Sequence, residues 1–106
     1  MSEQINEFVT GDTGRVIQRT ITDEDSVPID LSSAQSVKIR WKQGTAAVVE
    51  KAMTVVNGPA GVAEYEQQAT DFVPGKISFE FEVITAAGKK ITSPDLDGPY
   101  DVRRKL

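Results

Sequence analysis

The stretch Gly75–Val83, GKISFEFEV, alternates without a slip. Ile77, Phe79, Phe81 and Val83 share one parity; Lys76, Ser78, Glu80 and Glu82 share the other. Successive side chains on a strand point to opposite faces, so this period of two belongs to a β-strand buried on one side and polar on the other. A strand with one apolar face needs a second apolar layer to cover it. The rest of the chain must supply that layer.

Short alternating runs recur between turn signals, the pattern of an all-β sandwich or barrel. Candidate strands cover Ile5 to Val9, Arg15 to Ile21, Ser36 to Lys42, Ala52 to Val56, Val62 to Glu66, Gly75 to Val83, Lys89 to Thr92 and Tyr100 to Arg103, with a short edge piece at Val48 and Val49. Val27-Pro28-Ile29-Asp30 reads as a short extended piece, since proline belongs at edges or strand starts. Asp30 to Ala34 and Gln67 to Asp71 each read as a single helical turn, the first capped by Asp30 or Ser32. Asn57-Gly58-Pro59-Ala60-Gly61 is the densest turn signal, and Asn-Gly favours a hairpin turn of positive φ. Long helices, heptads, repeats and linkers are absent from the pattern. The expectation is one domain over residues 1–106: an immunoglobulin-like antiparallel β-sandwich of about seven to eight strands with one or two short helical turns. Trp41, in phase with Val37 and Ile39, is expected inside it.

A chain of 106 residues buries between roughly 60 and 70 % of its unfolded surface, enough for one core without covalent staples. It contains no cysteine and no histidine. Disulfides and thiolate metal sites are therefore impossible, and the commonest general base and metal ligand is missing. Serine–histidine and cysteine–histidine catalysis are excluded. The net charge of −4 argues against a general nucleic-acid binder, which needs a basic patch; the locally basic stretch is Arg103-Arg104-Lys105. No apolar run approaches the ~20 residues of a membrane span. The start, MSEQINEF, has neither the basic nor the apolar part of a signal peptide, so synthesis in a cytoplasm is expected.

Three constellations invite a chemical reading. Glu80 with Glu82, and Glu64 with Glu66, project from one face about 7 Å apart, a glycosidase-like spacing. An alternating polar face is nevertheless the default for a half-solvated sheet. Lys38, Arg40 and Lys42 are the expected cross-strand partners of these glutamates. Asp23-Glu24-Asp25 and Asp95-Leu96-Asp97-Gly98 open like calcium loops but lack the glycine at position six and the glutamate at twelve; both read as turns. Gly11-Asp12-Thr13-Gly14 lacks the lysine and helix of a phosphate loop and reads as a turn between the first two strands. No catalytic residue, metal ligand or cofactor is assigned. Ile5 and Phe8, near the start, either fill the core edge or dock onto a neighbour. With Arg103 and Arg104 they are the candidate partner-interface residues, and free sheet edges invite strand addition.

The order of several motifs carries a resemblance. Phe8-Val9-Thr10-Gly11-Asp12-Thr13-Gly14, Ile17 to Asp23, Val27 to Ala34 and Val37 to Arg40 are followed by Gly61 to Tyr65 and Pro74 to Val83. This succession resembles the N-terminal immunoglobulin-like domain of phage baseplate upper proteins and related small tailed-phage virion proteins, over about Phe8 to Val102. The resemblance implies a structural, non-enzymatic virion protein: a tail or baseplate accessory, a capsid decoration protein or an adaptor. It would bind other virion proteins in many copies per particle, with a homo-oligomer as one arrangement, without nucleic acid or membrane. A carbohydrate-binding or host-surface adhesion module is the alternative, and it would need exposed aromatics.

Overall fold

A computed structural model describes residues 7–11, 13–44, 47–95 and 99–103. The described residues form nine strands and no helix: β1 (Glu7–Val9), β2 (Val16–Thr20), β3 (Ser36–Lys42), β4 (Val49–Ala52), β5 (Thr54–Asn57), β6 (Val62–Glu66), β7 (Gly75–Ile84), β8 (Lys90–Pro94) and β9 (Tyr100–Arg103). They make a β-sandwich. One sheet has three strands in the order β2-β6-β5; the other has six.

The opening stretch, β7, organises the larger sheet. Along one side it pairs antiparallel with β3, from Ser36↔Ile84 to Lys42↔Ser78. Along the other side it pairs first with β9, over Gly75 to Ile77, and then with β8, over Glu80 to Ile84. The partner of β7 on that side is thus one strand broken in two. At the break, the Asp95 N–H donates to the Phe79 carbonyl at 3.1 Å. β4 lies beyond β3, and β1 lies beyond β9.

Several expectations are refined. The β1–β9 pair is parallel, so the sheet is mixed where an antiparallel one was expected. The run expected as one strand from Ala52 to Val56 is divided at Met53, where the chain leaves the larger sheet (β4) for the smaller (β5). Met53 packs against the core, and its N–H donates to the Val37 carbonyl at 2.8 Å. Val27 to Asp30 makes a single bridge, Thr22↔Pro28, rather than a strand. The two expected helical turns are reverse turns. In one, Asp30 Oδ1 accepts the Ser32 N–H at 2.9 Å and the Ala34 N–H reaches the Leu31 carbonyl at 3.2 Å. In the other, the Asp71 N–H reaches the Gln68 carbonyl at 3.2 Å. An aspartate that bonds its own backbone gives the chain an alternative to continuing a helix.

The turn after β5 also differs from its local signal. The positive φ falls on Gly61 (74°), not on Asn57 or Gly58. Packing explains the glycines. A Cβ on Gly61 would lie 2.7 Å from the Ile29 carbonyl oxygen, and one on Gly58 would lie 2.5 Å from Ser32 Oγ. Both positions let the segment from Ile21 to Ser32 press onto the β5–β6 turn, where the Leu31 N–H donates to the Gly58 carbonyl at 2.7 Å.

The odd parity of β7 points inward as expected: Ile77, Phe79, Phe81 and Val83 are all buried. They meet Val37, Ile39 and Trp41 of β3, and the facing Ile17, Ala63 and Tyr65 of the smaller sheet. Burying each such large side chain contributes about 1.5–3 kcal/mol. Trp41 is 3 % exposed, its ring 5.2 Å from Phe72 and 5.9 Å from Phe79 and Tyr65. Phe8 fills the lower end of the core, in ring contact with Phe72, Phe79 and Tyr100. Buried Gln67 ties β1 to the smaller sheet. Its backbone N–H donates to the Arg15 carbonyl, and its Nε2 donates to the Val9 carbonyl at 3.0 Å.

Candidate functional site

The outward face of the larger sheet carries the charges that the alternation pointed to. The register puts Lys38 opposite Glu82 and Arg40 opposite Glu80 on β7, and Arg40 opposite Glu50 on β4. Arg40 sits at the centre. Its Nη1 lies 3.4 Å from both Glu80 Oε1 and Glu82 Oε2, and its Nε lies 3.3 Å from Glu50 Oε1. Lys90 Nζ reaches Glu82 Oε2 from β8 at 3.4 Å, and Lys38 Nζ lies 3.7 Å from Glu50. Glu80 remains exposed, but Glu82 does not. It is 6 % exposed, which corrects the expectation of a solvated face at this position. Burial and two cations explain this: a carboxylate leaves water only where its charge is matched. The two glutamates therefore share an arginine. Glu80 borders a shallow cleft of about 290 Å³ with Arg40, Lys42, Val48 and Ser78, and its carboxylate there is paired with the arginine.

A second polar cluster lies inside the open side of the sandwich, between β2 and the broken β8–β9 strand. Arg19 shares the inward parity of Ile17 and Ile21 yet is charged. Its Nη2 donates to Tyr100 Oη at 2.6 Å, and the Tyr100 hydroxyl donates to Asp95 Oδ2 at 2.6 Å. Arg19 Nε lies 3.5 Å from Asp95 Oδ1, and the Asp95 side chain is almost fully buried. The guanidinium also lies over the Tyr100 ring, 5.5 Å from its centroid. Burial, seconded by the Asp95 carboxylate and opposed by Arg19, pushes the Tyr100 phenol up to about 12. Tyr100 is thus a neutral donor held between a cation and an anion. The three residues staple the smaller sheet to the two halves of the broken strand. Above them opens a cleft of about 350 Å³ lined by Gln18, Arg19, Thr20, Thr22, Phe81, Pro94 and Asp95.

Tyr65 makes a related contact at the other end, its hydroxyl donating to Asp71 Oδ2 at 2.6 Å. Asp71 Oδ2 also accepts the Gln68 N–H at 2.7 Å. Burial first, and then this carboxylate, raise the Tyr65 phenol well above its ordinary value.

Of the candidate interface residues, Ile5 and Arg104 lie outside the described residues. Phe8 is 2 % exposed, so its ring serves the core, and the arginine Arg15 caps it 4.6 Å from the centroid. Arg103 is exposed at the end of β9, and its carbonyl accepts the Thr10 N–H at 3.0 Å. Of the two described residues, Phe8 thus lies in the core and Arg103 on the surface. Asp23 builds a turn, its Oδ1 accepting the Asp25 and Val27 N–H groups at 2.9 and 3.0 Å. Asp12 and residues 96–98 lie outside the described residues. Among the described residues, no group of three or more acidic side chains is arranged to hold a metal ion. The one tryptophan, two tyrosines and four phenylalanines are all buried, so the aromatic platform that a sugar site needs is not on the surface.

The exposed features suited to a partner are sheet edges and valines. β4, β5 and β8 each end a sheet on one side. Val48, Val55 and Val56 are exposed along the β4–β5 margin, and Val16 is exposed on β2. Sequence parity missed the Arg19 cluster, although the signal was present: a charge at an inward position between two isoleucines requires a buried counter-charge. Comparison with protein-family models and with curated proteins gives no match for this chain.

Proposed function

We propose that this protein is a non-enzymatic structural module of a tailed-phage particle, made in the host cytoplasm and built into the virion beside other virion proteins in many copies. One observation carries the reading. The aromatic side chains are all internal, and Lys38, Arg40, Glu50, Glu80, Glu82 and Lys90 on the larger face are paired with one another. Among the described residues, what the surface offers a protein partner is backbone edge and scattered valine, the means of strand addition and flat protein–protein contact. The motif succession from Phe8 to Val83 supports placing such a module in a tail, baseplate or capsid-decorating role. The parallel β1–β9 pair adds a mechanical argument. The chain enters β1 at Glu7, beside Asp101, and leaves β9 at Arg103, beside Val9. Entry and exit thus lie at opposite ends of one strand pair, so a pull along the chain is resisted by this ladder in shear.

The test is compositional. Particles purified from lysed host cells and analysed by quantitative mass spectrometry should contain this chain in a fixed, many-copy ratio to the major structural protein. Its absence from washed particles, with the chain left soluble in the lysate, would overturn the reading.

A further inference from the structure

The turn that closes β5 onto β6 contains a second kind of chemistry. Asn57 is exposed and is followed by Gly58. Asn57 Oδ1 accepts the Ala60 N–H at 3.2 Å. A hydrogen bond accepted by that oxygen draws electron density from the side-chain carbonyl carbon. The Gly58 carbonyl is engaged twice, by the Leu31 N–H at 2.7 Å and the Gly61 N–H at 3.1 Å. The Gly58 N–H, by contrast, donates to no group among the described residues. Gly58 has no side chain to shield that nitrogen.

We propose that Asn57-Gly58 is a site of spontaneous backbone modification in the folded protein, and that the product undocks the Ile29–Ser32 segment. The Gly58 amide, on losing its proton to solvent base, attacks Asn57 Cγ; a new C–N bond forms and the carboxamide nitrogen leaves as ammonia. The five-membered succinimide then takes up one water. Opening at one carbonyl gives aspartate; opening at the other gives isoaspartate, in which the main chain runs through Cβ. No oxidation is involved, and the net change is amide plus water to carboxylic acid plus ammonia.

The consequence follows from how tightly Gly58 is packed. Even one added carbon there would approach Ser32 Cα to 2.9 Å and Ser32 Oγ to 2.5 Å. An extra methylene in the main chain immediately before Gly58 shifts this contact and the Leu31 N–H···O bond together. Leu31 is 2 % exposed and covers the core at this end, so its release loosens the sandwich locally. The modification would act as a clock: its rate depends on pH and temperature, and its effect falls on one docked segment.

Incubation of the full chain in mildly alkaline buffer at physiological temperature, followed by peptide mapping and isoaspartyl methyltransferase labelling, reads the reaction directly. The chain has two asparagines, Asn6 (before Glu7) and Asn57, so Asn6 is an internal control. The expected result is loss of the Asn57 amide in the folded protein well ahead of Asn6, with label on the peptide containing residue 57. Asn57→Gln, which keeps the carboxamide but closes the ring poorly, should lose that label while remaining folded by circular dichroism. An intact Asn57 in the folded chain, alongside conversion in a urea-unfolded sample, would overturn the site. In the converted fraction, amide exchange at Leu31 should lose its protection; unchanged exchange there would overturn the undocking.

Discussion

At the residue scale, the most consequential side chain is Arg19. It brings a cation to an inward position and is matched there by Asp95 and Tyr100. Removing one member of such a set leaves a buried polar group without its partner, which costs about 1–3 kcal/mol. Arg19→Met, which keeps much of the stem, should therefore lower stability by about that amount in urea titration, and a change within experimental error would contradict the staple. The same cluster fixes an alkaline limit. The Tyr100 phenol is pushed from 10.0 up to about 12, while in the unfolded chain it ionises near its ordinary value. Its contribution is therefore whole below 10.0 and is lost as pH climbs toward about 12, because in that window only the unfolded state gains by ionising. Tyr65 is raised for the same leading cause and adds to the effect. Urea midpoints should fall across that window, with tyrosinate absorbance appearing together with unfolding. Tyrosinate forming near the ordinary value in a chain that stays folded would refute this. Parity alone indicates that Arg19 needs a counter-charge. Which acid supplies it depends on the break between β8 and β9, which no local pattern reveals.

At the scale of elements, strands with a sharp period were legible. The bounds of β3, β6 and β9 match the reading from sequence, and the inward faces of β3 and β7 match residue by residue. What failed was decided by tertiary contact. Asn57-Gly58 promises a tight positive-φ turn, but the docking of Ile29 to Ser32 selects a different loop with its positive φ at Gly61. Ala52 to Val56 reads as one strand, but the sandwich has a change of sheet at Met53. Edge strands show a further device. Lys51 pairs with Ile39 across β3 and β4 and so shares its core-ward parity, yet Lys51 is exposed while Ile39 is buried. An inward-pointing lysine at an edge discourages a second chain from extending the sheet. β5 carries no charge, and its register slips between Val55 and Asn57, an irregularity that also blunts an edge. Lys51→Val should therefore leave the fold intact and introduce concentration-dependent self-association in light scattering. A variant that stays monomeric to high concentration would mean that the edge is guarded some other way.

At the scale of the whole molecule, the first described strand pairs with the last: Phe8 lies opposite Val102. Joining them closes nearly the full length of the chain, and β3 reaches β7 across a large part of it. Topologies dominated by such non-local pairing fold slowly, in milliseconds to seconds. The order of events follows from loop closure. The hairpins β5–β6 and β7–β8 close short loops, whereas β1–β9 pairing bears the largest closure entropy and gains only three residue pairs. It should form after the main barrier. Phe8 tests this, since its ring joins β1 to Phe72, Phe79 and Tyr100. Phe8→Ala should cost about 3–5 kcal/mol, as for other buried phenylalanines. If β1 docks late, nearly all of that loss appears as faster unfolding, with refolding little changed. Trp41, buried between the sheets, supplies the fluorescence signal for a chevron in urea. Slower refolding that accounts for most of the loss would place β1–β9 closure in the nucleus instead. Late docking would also fit the proposed role, because a strand that joins last is the element most open to capture by a neighbouring edge during assembly.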